Sequence, residues 1–220
     1  MEIEQRWCIH KSMPSRNRVK IYAEEAYYHV YNRGVNGSNI FIDGKDYAVF
    51  LNLLKRYLAQ KPSKDKKGRE YLSLYGQIEL LAFCLMPNHF HLLVYQDNRD
   101  AMTQLLRGVA TSYSTYFNKK YDRFGPLFQE RFKASMITND AYLQHISRYI
   151  HLNPMDAQQG NYLEYPYSSI GYYVGRQSAS WVVPARIYDD TERDQYVAFL
   201  QDYEDMHDLL KGIEHELADT

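Results

Sequence analysis

The sequence of 220 residues has few cysteines and no long apolar run. Its two cysteines, Cys8 and Cys84, are too few and too far apart in the sequence for a disulfide framework or a cysteine-based zinc cluster, which favours a reducing compartment. No segment approaches the roughly 20 consecutive apolar residues that a membrane-spanning helix needs. The N-terminus also lacks the apolar core of a signal peptide. We therefore expect a cytoplasmic protein without a membrane partner.

The net charge is close to zero, at −1, because two oppositely charged parts of the chain cancel. Residues 189–220 contain 11 acidic and 2 basic residues and carry −9, whereas residues 1–188 contain 24 basic and 16 acidic residues and carry +8. A basic body indicates an anionic partner. The acidic end is either an ordinary solvated charge run or a segment that competes with that partner for the basic body.

The pattern of apolar residues predicts an α+β fold. Alternation predicts strands at 26–32, 76–86, 89–96 and 132–138, and helical spacing predicts helices at 45–60, 100–120 and 141–153, the last stopped by Pro154. The order strand, helix, strand, strand, helix, strand is that of a ferredoxin-like antiparallel sheet (βαββαβ) with its helices on one face, followed here by an added helix. Between the second helix and the fourth strand, residues 119–133 are rich in basic and aromatic side chains, which suits phosphates and unstacked bases.

His89 and His91 form the one short motif whose spacing suggests a chemistry. Residues i and i+2 of a strand project to the same face, so the two imidazoles lie side by side. The pair is a metal chelate, a nucleic-acid contact or simply two half-exposed histidines on an edge strand. The spacing alone leaves these three interpretations open.

The helix at 141–153 carries a second group of polar residues. Its apolar stripe includes Leu143 and Ile150, and Tyr149 and Asn153 lie on the margin of that stripe, one turn apart. One face of one helix therefore offers a phenol and an amide oxygen. They are either a nucleophile and a metal ligand or two residues that make hydrogen bonds at the edge of the core.

Several segments in a fixed order resemble the single-tyrosine HUH transposases, most closely the REP-associated tyrosine transposases. They are YHVYNRGVNGSNIF, AFCLMPNHFHLL, GPLFQERFK, AYLQHISRYIHLNP and YPYSS. HUH denotes histidine, a hydrophobic residue and histidine, which His89-Phe90-His91 satisfies. The resemblance covers about residues 25–175, and it leaves a basic N-terminal arm (1–24) and an acidic helical C-terminal extension (176–220) outside it.

The resemblance implies an enzyme that nicks and rejoins single-stranded DNA near hairpins of the REP type, working as a monomer or homodimer. It implies that Tyr149 is the nucleophile, which forms a 5′-phosphotyrosine intermediate, and that the added helix is a catalytic helix. It also implies that His89, His91 and Asn153 hold a divalent metal ion. Two imidazoles and an amide oxygen suit Mn²⁺ at least as well as Mg²⁺.

Further candidate residues follow from charge and position. His145, on the Tyr149 side of the helix, is a candidate proton acceptor. The candidate phosphate contacts are Arg33, Arg131, Lys133 and Arg148.

Two other classes of function remain open. The first is a non-catalytic binder of structured single-stranded DNA or RNA, although the basic-glycine-aromatic strand signature of RNA-recognition domains is absent. The second is a metal hydrolase in which water attacks in place of Tyr149. Replacing Tyr149 with phenylalanine separates the three classes, since only the transferase requires its hydroxyl group.

Overall fold

The computed structural model describes residues 22–157, 161–188 and 193–202. Its elements are β1 (Ala26–Arg33), α1 (Gly44–Leu58), β2 (Ile78–Met86), β3 (His89–Gln96), α2 (Ala101–Lys120), β4 (Lys133–Ile137), α3 (Asp140–Asp156), α4 (Ile170–Tyr173) and α5 (Arg193–Gln201). The four strands form one antiparallel sheet in the order β2-β3-β1-β4. This is the ferredoxin-like arrangement that the order of the elements predicts, and the α+β fold class is confirmed.

Helices α1 and α2 cover one face of the sheet. Helix α1 begins with a capping box, in which the Asp43 carboxylate accepts from the backbone N–H of Asp46 and the Asp46 side chain accepts from that of Asp43. The core beneath the two helices includes Phe50 of α1, Val109 of α2 and Phe90 of β3. Because alternate residues of a strand face opposite ways, the neighbours of Phe90, His89 and His91, point to the other face.

Helix α3 covers that other face, so the three long helices do not share one side of the sheet. The predicted stripe of Leu143 and Ile150 is buried, and it packs against residues of β2 and β3. The predicted end of α3 at Pro154 is wrong, because the helix continues to Asp156. Pro154 removes a single backbone donor in the last turn, where the helix is about to end in any case.

The segments after α3 complete the core and cover the outer edge of β2. The backbone N–H of Leu85 donates to Tyr167 O at 2.9 Å, and that of Val183 donates to Leu80 O at 2.9 Å. In α5, Tyr196 and Leu200 are buried in the same cluster as α3. Part of the predicted C-terminal extension therefore belongs to the core on the α3 side.

Some predicted features fall outside the residues that the structure describes. They are residues 1–21 of the basic arm and the acidic stretch 203–220. Within the described ranges, none of the helices is both long enough and apolar enough to cross a membrane.

Candidate active site

The histidines of the HUH motif face helix α3 at one end of the sheet. In the register of β1 and β3, Tyr31 is opposite His91, and His29 is opposite Leu93. His29 and Tyr31 therefore lie on the same face as His91, and their rings are within 5.1 Å and 5.9 Å of the His91 ring, centroid to centroid. The prediction that the two motif histidines share one face is confirmed, and β1 adds a third histidine beside them.

Helix α3 brings Tyr149 and Asn153 to the two motif histidines. The Tyr149 ring stands edge-on to His91, with 5.3 Å between the centroids. One turn further on, Asn153 Oδ1 lies 3.0 Å from His89 Nε2. The sequence prediction that one helix face presents a phenol and an amide oxygen holds in the structure, and both reach the same pair of imidazoles.

The second nitrogen of each motif histidine also has a partner. His89 Nδ1 lies 2.6 Å from Asn88 Oδ1, and His91 Nδ1 lies 2.9 Å from His29 Nε2. Each imidazole is thus held through its Nδ1 atom, and its Nε2 atom is directed away from the side chain that holds it.

Burial keeps these imidazoles uncharged. Desolvation lowers the pKa of His29 to about 3 and that of His91 well below its usual value. Burial also lowers the pKa of His89, although its contact with Asn153 acts in the opposite direction. Neutral imidazoles are the form that binds metal ions, so no proton has to be displaced at neutral pH.

The donor set of His89, His91 and Asn153 fits a divalent ion. Adjacent ligands around an octahedral ion with bonds of 2.0–2.1 Å are about 2.9 Å apart. The distance of 3.0 Å between His89 Nε2 and Asn153 Oδ1 matches that spacing. No cluster of three histidine, cysteine or carboxylate side chains in the described ranges offers another metal site. The predicted set differs from such clusters because its third member is an amide.

A groove of about 410 Å³ opens beside these residues. Tyr149, His89 and His91 line it, as do three of the four predicted phosphate contacts, Arg33, Arg131 and Lys133. The rest of the lining is one carboxylate, Glu130, and uncharged polar residues, so the cations outnumber the acidic group. Arg33 and Arg131 are exposed. The groove therefore offers positive charge next to the phenol, in the arrangement that a nucleic-acid backbone requires.

The structure contradicts the predicted roles of Arg148 and His145. Arg148 is only 1% exposed, and its Nη1 donates to Phe199 O and Asp202 O at the end of α5, so it is not available to DNA. The His145 ring packs against Phe199, and its Nδ1 lies 3.3 Å from Arg148 Nη2. Both side chains contact α5. Arg148 directly precedes Tyr149 and is therefore turned about 100° away from it around the helix, whereas His145 lies one turn before Tyr149 and its contact with Phe199 depends on the packing of α5.

Sequence reasoning missed His29 and Asn88. Alternation along β1 does place His29 on the same face as Tyr31, but only the pairing of β1 with β3 brings it to His91. Asn88 directly precedes the motif, in the tight connection between β2 and β3 that Pro87-Asn88 forms. Its polar side chain beside His89 in the sequence was an available signal, whereas no local signal marks His29.

A ferredoxin-like sheet that carries His-x-His opposite a helical tyrosine defines a candidate HUH-type site. Residues 66–153, which include both motif histidines, Tyr149 and Asn153, match the family model described as "Transposase IS200 like". This match confirms the resemblance to single-tyrosine HUH transposases and the predicted class of enzyme, a tyrosine transposase.

Two solved structures are similar to this chain. A REP-associated tyrosine transposase bound to a REP hairpin has 16% sequence identity and a TM-score of 0.52, and the match covers 78% of this chain and 93% of that chain. A protein described as a candidate transposase from Deinococcus radiodurans R1 has 12% identity and a TM-score of 0.37, with 74% and 98% of the two chains covered. No curated protein sequence matches this chain. At 16% identity, the first of these structures supports the fold.

Proposed function

We propose that this transposase is a metal-dependent enzyme that nicks and rejoins single-stranded DNA near hairpins through a covalent bond to Tyr149. The observation that carries the proposal is the convergence of two elements on one point. Helix α3 places the Tyr149 ring 5.3 Å from His91, centroid to centroid, and the Asn153 amide oxygen 3.0 Å from His89 Nε2. A phenol beside a set of metal ligands is the arrangement that attack on a phosphodiester requires.

The covalent step exchanges one ester bond for another. The Tyr149 hydroxyl oxygen attacks the scissile phosphorus, the bond from phosphorus to the 3′ oxygen breaks, and the phenolic proton is lost while the departing 3′ oxygen gains one. The products are a 5′-phosphotyrosine ester and a free 3′-hydroxyl. Because the number of phosphate ester bonds is unchanged, a 3′-hydroxyl from another strand end reverses the step and rejoins DNA.

The side chains around Tyr149 supply position and charge. A free phenol has a pKa near 10 and is a weak nucleophile at neutral pH, so the step depends on neighbouring groups. A divalent ion held by His89, His91 and Asn153, Mg²⁺ or Mn²⁺, would neutralise charge on the phosphate oxygens. Arg33 and Arg131 hold the flanking phosphates in the groove, which fixes the scissile bond in line with the phenol.

The substrate follows from the groove and from the similar structure. The groove is lined by cations and by Tyr31, whose ring has the Lys133 ammonium within 5.9 Å of its centroid, a combination that suits a single strand with unstacked bases. The similar tyrosine transposase is bound to a REP hairpin. We therefore assign this chain a hairpin-bearing single strand of DNA, which a monomer or homodimer binds.

The test is a denaturing gel of the protein with hairpin DNA labelled at its 3′ end. A 5′-phosphotyrosine bond leaves the label on the protein, whereas a 5′ label reports the fragment with the free 3′-hydroxyl. We expect a protease-sensitive labelled adduct with Mn²⁺ or Mg²⁺ that is absent with EDTA. Tyr149→Phe should abolish the adduct, a loss of at least about 10³-fold, because the attacking oxygen is gone.

Tyr31→Phe is the matched control, because Tyr31 lines the same groove and also carries a phenol. Its adduct should persist. An adduct that disappears in Tyr31→Phe and remains in Tyr149→Phe would show that Tyr31, and not Tyr149, is the nucleophile. Cleavage without any adduct would mean that water attacks, and DNA that is shifted on a native gel but never cut would make the protein a binding module.

A further inference from the structure

His29 is a fully buried imidazole with one hydrogen-bond partner among the described residues. Its side chain is 0% exposed, and its Nε2 lies 2.9 Å from His91 Nδ1. Within the described part of the chain, His29 Nδ1 has no hydrogen-bond partner although it is buried. Burying an unpaired polar atom costs free energy, and an apolar side chain at this position would avoid that cost. The hydrogen bond to His91 therefore accounts for a polar side chain at this buried position.

The hydrogen bond between the two imidazoles has two possible directions. Either His29 donates from Nε2, which leaves the proton of His91 on its own Nε2, or His91 donates from Nδ1, which leaves its Nε2 as a lone pair. Both rings are buried, at 0% and 6% exposed, and their facing nitrogens are 2.9 Å apart, so one proton lies between them. Only the second direction makes His91 Nε2 a metal ligand.

Asn88 sets the direction of the corresponding hydrogen bond at His89. Asn88 Nδ2 lies 3.5 Å from Gly37 O, a long hydrogen bond that turns the amide oxygen toward His89. That oxygen is 2.6 Å from His89 Nδ1 and accepts its proton. His89 Nε2 is then a lone pair, and it faces another acceptor, Asn153 Oδ1, at 3.0 Å. The neutral ring carries a single proton, and the Asn88 oxygen is the nearer of the two acceptors, so Nδ1 keeps the proton. A cation bound between His89 Nε2 and Asn153 Oδ1 would then satisfy both of those atoms.

We propose that His29 and Asn88 are positioning residues that hold His91 and His89 in the tautomer with the proton on Nδ1, so that both Nε2 atoms point as lone pairs toward the metal. The inference rests on the proposed function only for the presence of the metal, since the two hydrogen bonds exist in the protein itself. It assigns roles to two residues outside the HUH motif, one of which, His29, also lies outside the residues matched to the transposase family.

The tautomers are measurable in the metal-free wild-type protein. A long-range ¹H–¹⁵N spectrum of ¹⁵N-histidine-labelled protein at pH 7.5 distinguishes a protonated from an unprotonated ring nitrogen, and His89→Ala and His91→Ala assign the signals. We expect the proton on Nδ1 in both residues. A proton on Nε2 of either His89 or His91 would overturn the assignment for its partner, whatever the enzyme does to DNA.

Variants supply a second readout through Mn²⁺ affinity. His29→Phe keeps an aromatic ring but has no acceptor, and it should weaken Mn²⁺ binding about tenfold or more, as loss of a group behind a metal ligand does. His29→Gln retains an acceptor near the Nε2 position and should recover part of the affinity. Asn88→Leu and Asn88→Asp form the corresponding pair for His89.

His145→Gln is the control, because His145 packs against Phe199 away from the groove. A purely structural role for His29 would lower the melting temperature of His29→Phe and leave the Mn²⁺ affinity of the folded protein and the His91 tautomer unchanged. That result would refute the inference. If His29→Phe does not fold, the wild-type spectrum decides. Absence of a Tyr149 adduct together with the expected tautomers would refute the proposed function and leave the inference standing.

Discussion

Asn153 presents a neutral amide at a position where a carboxylate would bind a divalent ion more tightly. Its side chain is 5% exposed, and its Oδ1 lies 3.0 Å from His89 Nε2, so a change of charge at this atom would act directly on an ion held there. The three predicted ligands carry no negative charge of their own. In the proposed mechanism the phosphate would supply that charge, which would couple metal binding to substrate binding.

Substitutions at Asn153 should therefore change metal affinity in opposite directions. Asn153→Asp adds a negative ligand and should raise the Mn²⁺ affinity of the free protein by about tenfold, whereas Asn153→Ala removes the ligand and should lower it by a similar factor. Isothermal titration with Mn²⁺ without DNA measures both. Equal affinities for the wild type and both variants would show that Asn153 is not a ligand.

At the residue scale, local spacing predicts which side chains share a face, because residues two apart on a strand or four apart on a helix lie on one side. It paired His89 with His91 and Tyr149 with Asn153 in this way, whereas their roles followed from the resemblance to the transposases. The contacts of His29 and Arg148 depend on which element packs against them. Those contacts are set by strand register and by α5, and no local pattern in the sequence encodes them.

At the scale of elements, helix α3 joins the site to α5. Tyr149 faces the sheet, and Arg148, the preceding residue, donates to the last carbonyl groups of α5 at 3.0 Å and 3.1 Å. The last carbonyl groups of a helix lack the intrahelical N–H donors that earlier ones have, so the guanidinium serves as a cap. The Arg148 carbon at the centre of the guanidinium also lies 4.2 Å from the centroid of the Phe199 ring.

Arg148 and Arg131 should consequently differ in what they control. Arg148→Met removes this donor from the C-terminal end of α5 and should reduce the free energy of unfolding by about 1–3 kcal/mol with little effect on DNA affinity. Arg131→Met removes an exposed cation from the groove and should weaken DNA binding by a few-fold with little effect on stability. Urea unfolding and fluorescence anisotropy with labelled hairpin DNA measure the two quantities for both variants. A loss of DNA affinity in a stable Arg148→Met would restore the prediction that the structure contradicts.

The order of elements was predictable because each helix and strand has a clear period. The side of the sheet that α3 covers was not, since an amphipathic helix fits either face. Its end at Asp156 was also missed, because proline is tolerated in a last turn as well as after it.

For the molecule as a whole, buried neutral histidines make stability depend on pH. His151 of α3 contacts α5 and the segment before α4. Its Nδ1 lies 2.5 Å from Tyr196 Oη, and its Nε2 lies 2.7 Å from Ser169 Oγ. Burial lowers the pKa of His151 to about 3. In the unfolded chain the pKa is about 6.5, so as the pH falls below 6.5 the unfolded state takes up a proton that the folded state does not.

The stability that His151 contributes is therefore complete above pH 6.5 and is lost as the pH falls toward 3. At pH 5 the loss should be about 2 kcal/mol from this residue, at about 1.4 kcal/mol for each pH unit. His151→Gln replaces the imidazole with an amide that does not titrate, so the difference in unfolding free energy between pH 7 and pH 5 should shrink by about that amount. Urea unfolding of both proteins at the two pH values measures it, and equal differences would contradict the assignment.

The order of the strands also determines when the site comes into existence. Strand β1 lies between β3 and β4, so the first strand to leave the ribosome has no neighbour until about 60 further residues have been made. Helix α3, which carries Tyr149, follows the last strand, and α5 follows α3. A partly synthesised chain therefore holds the histidines without Tyr149, and in the proposed mechanism it would gain its nucleophile only after all four strands have been made.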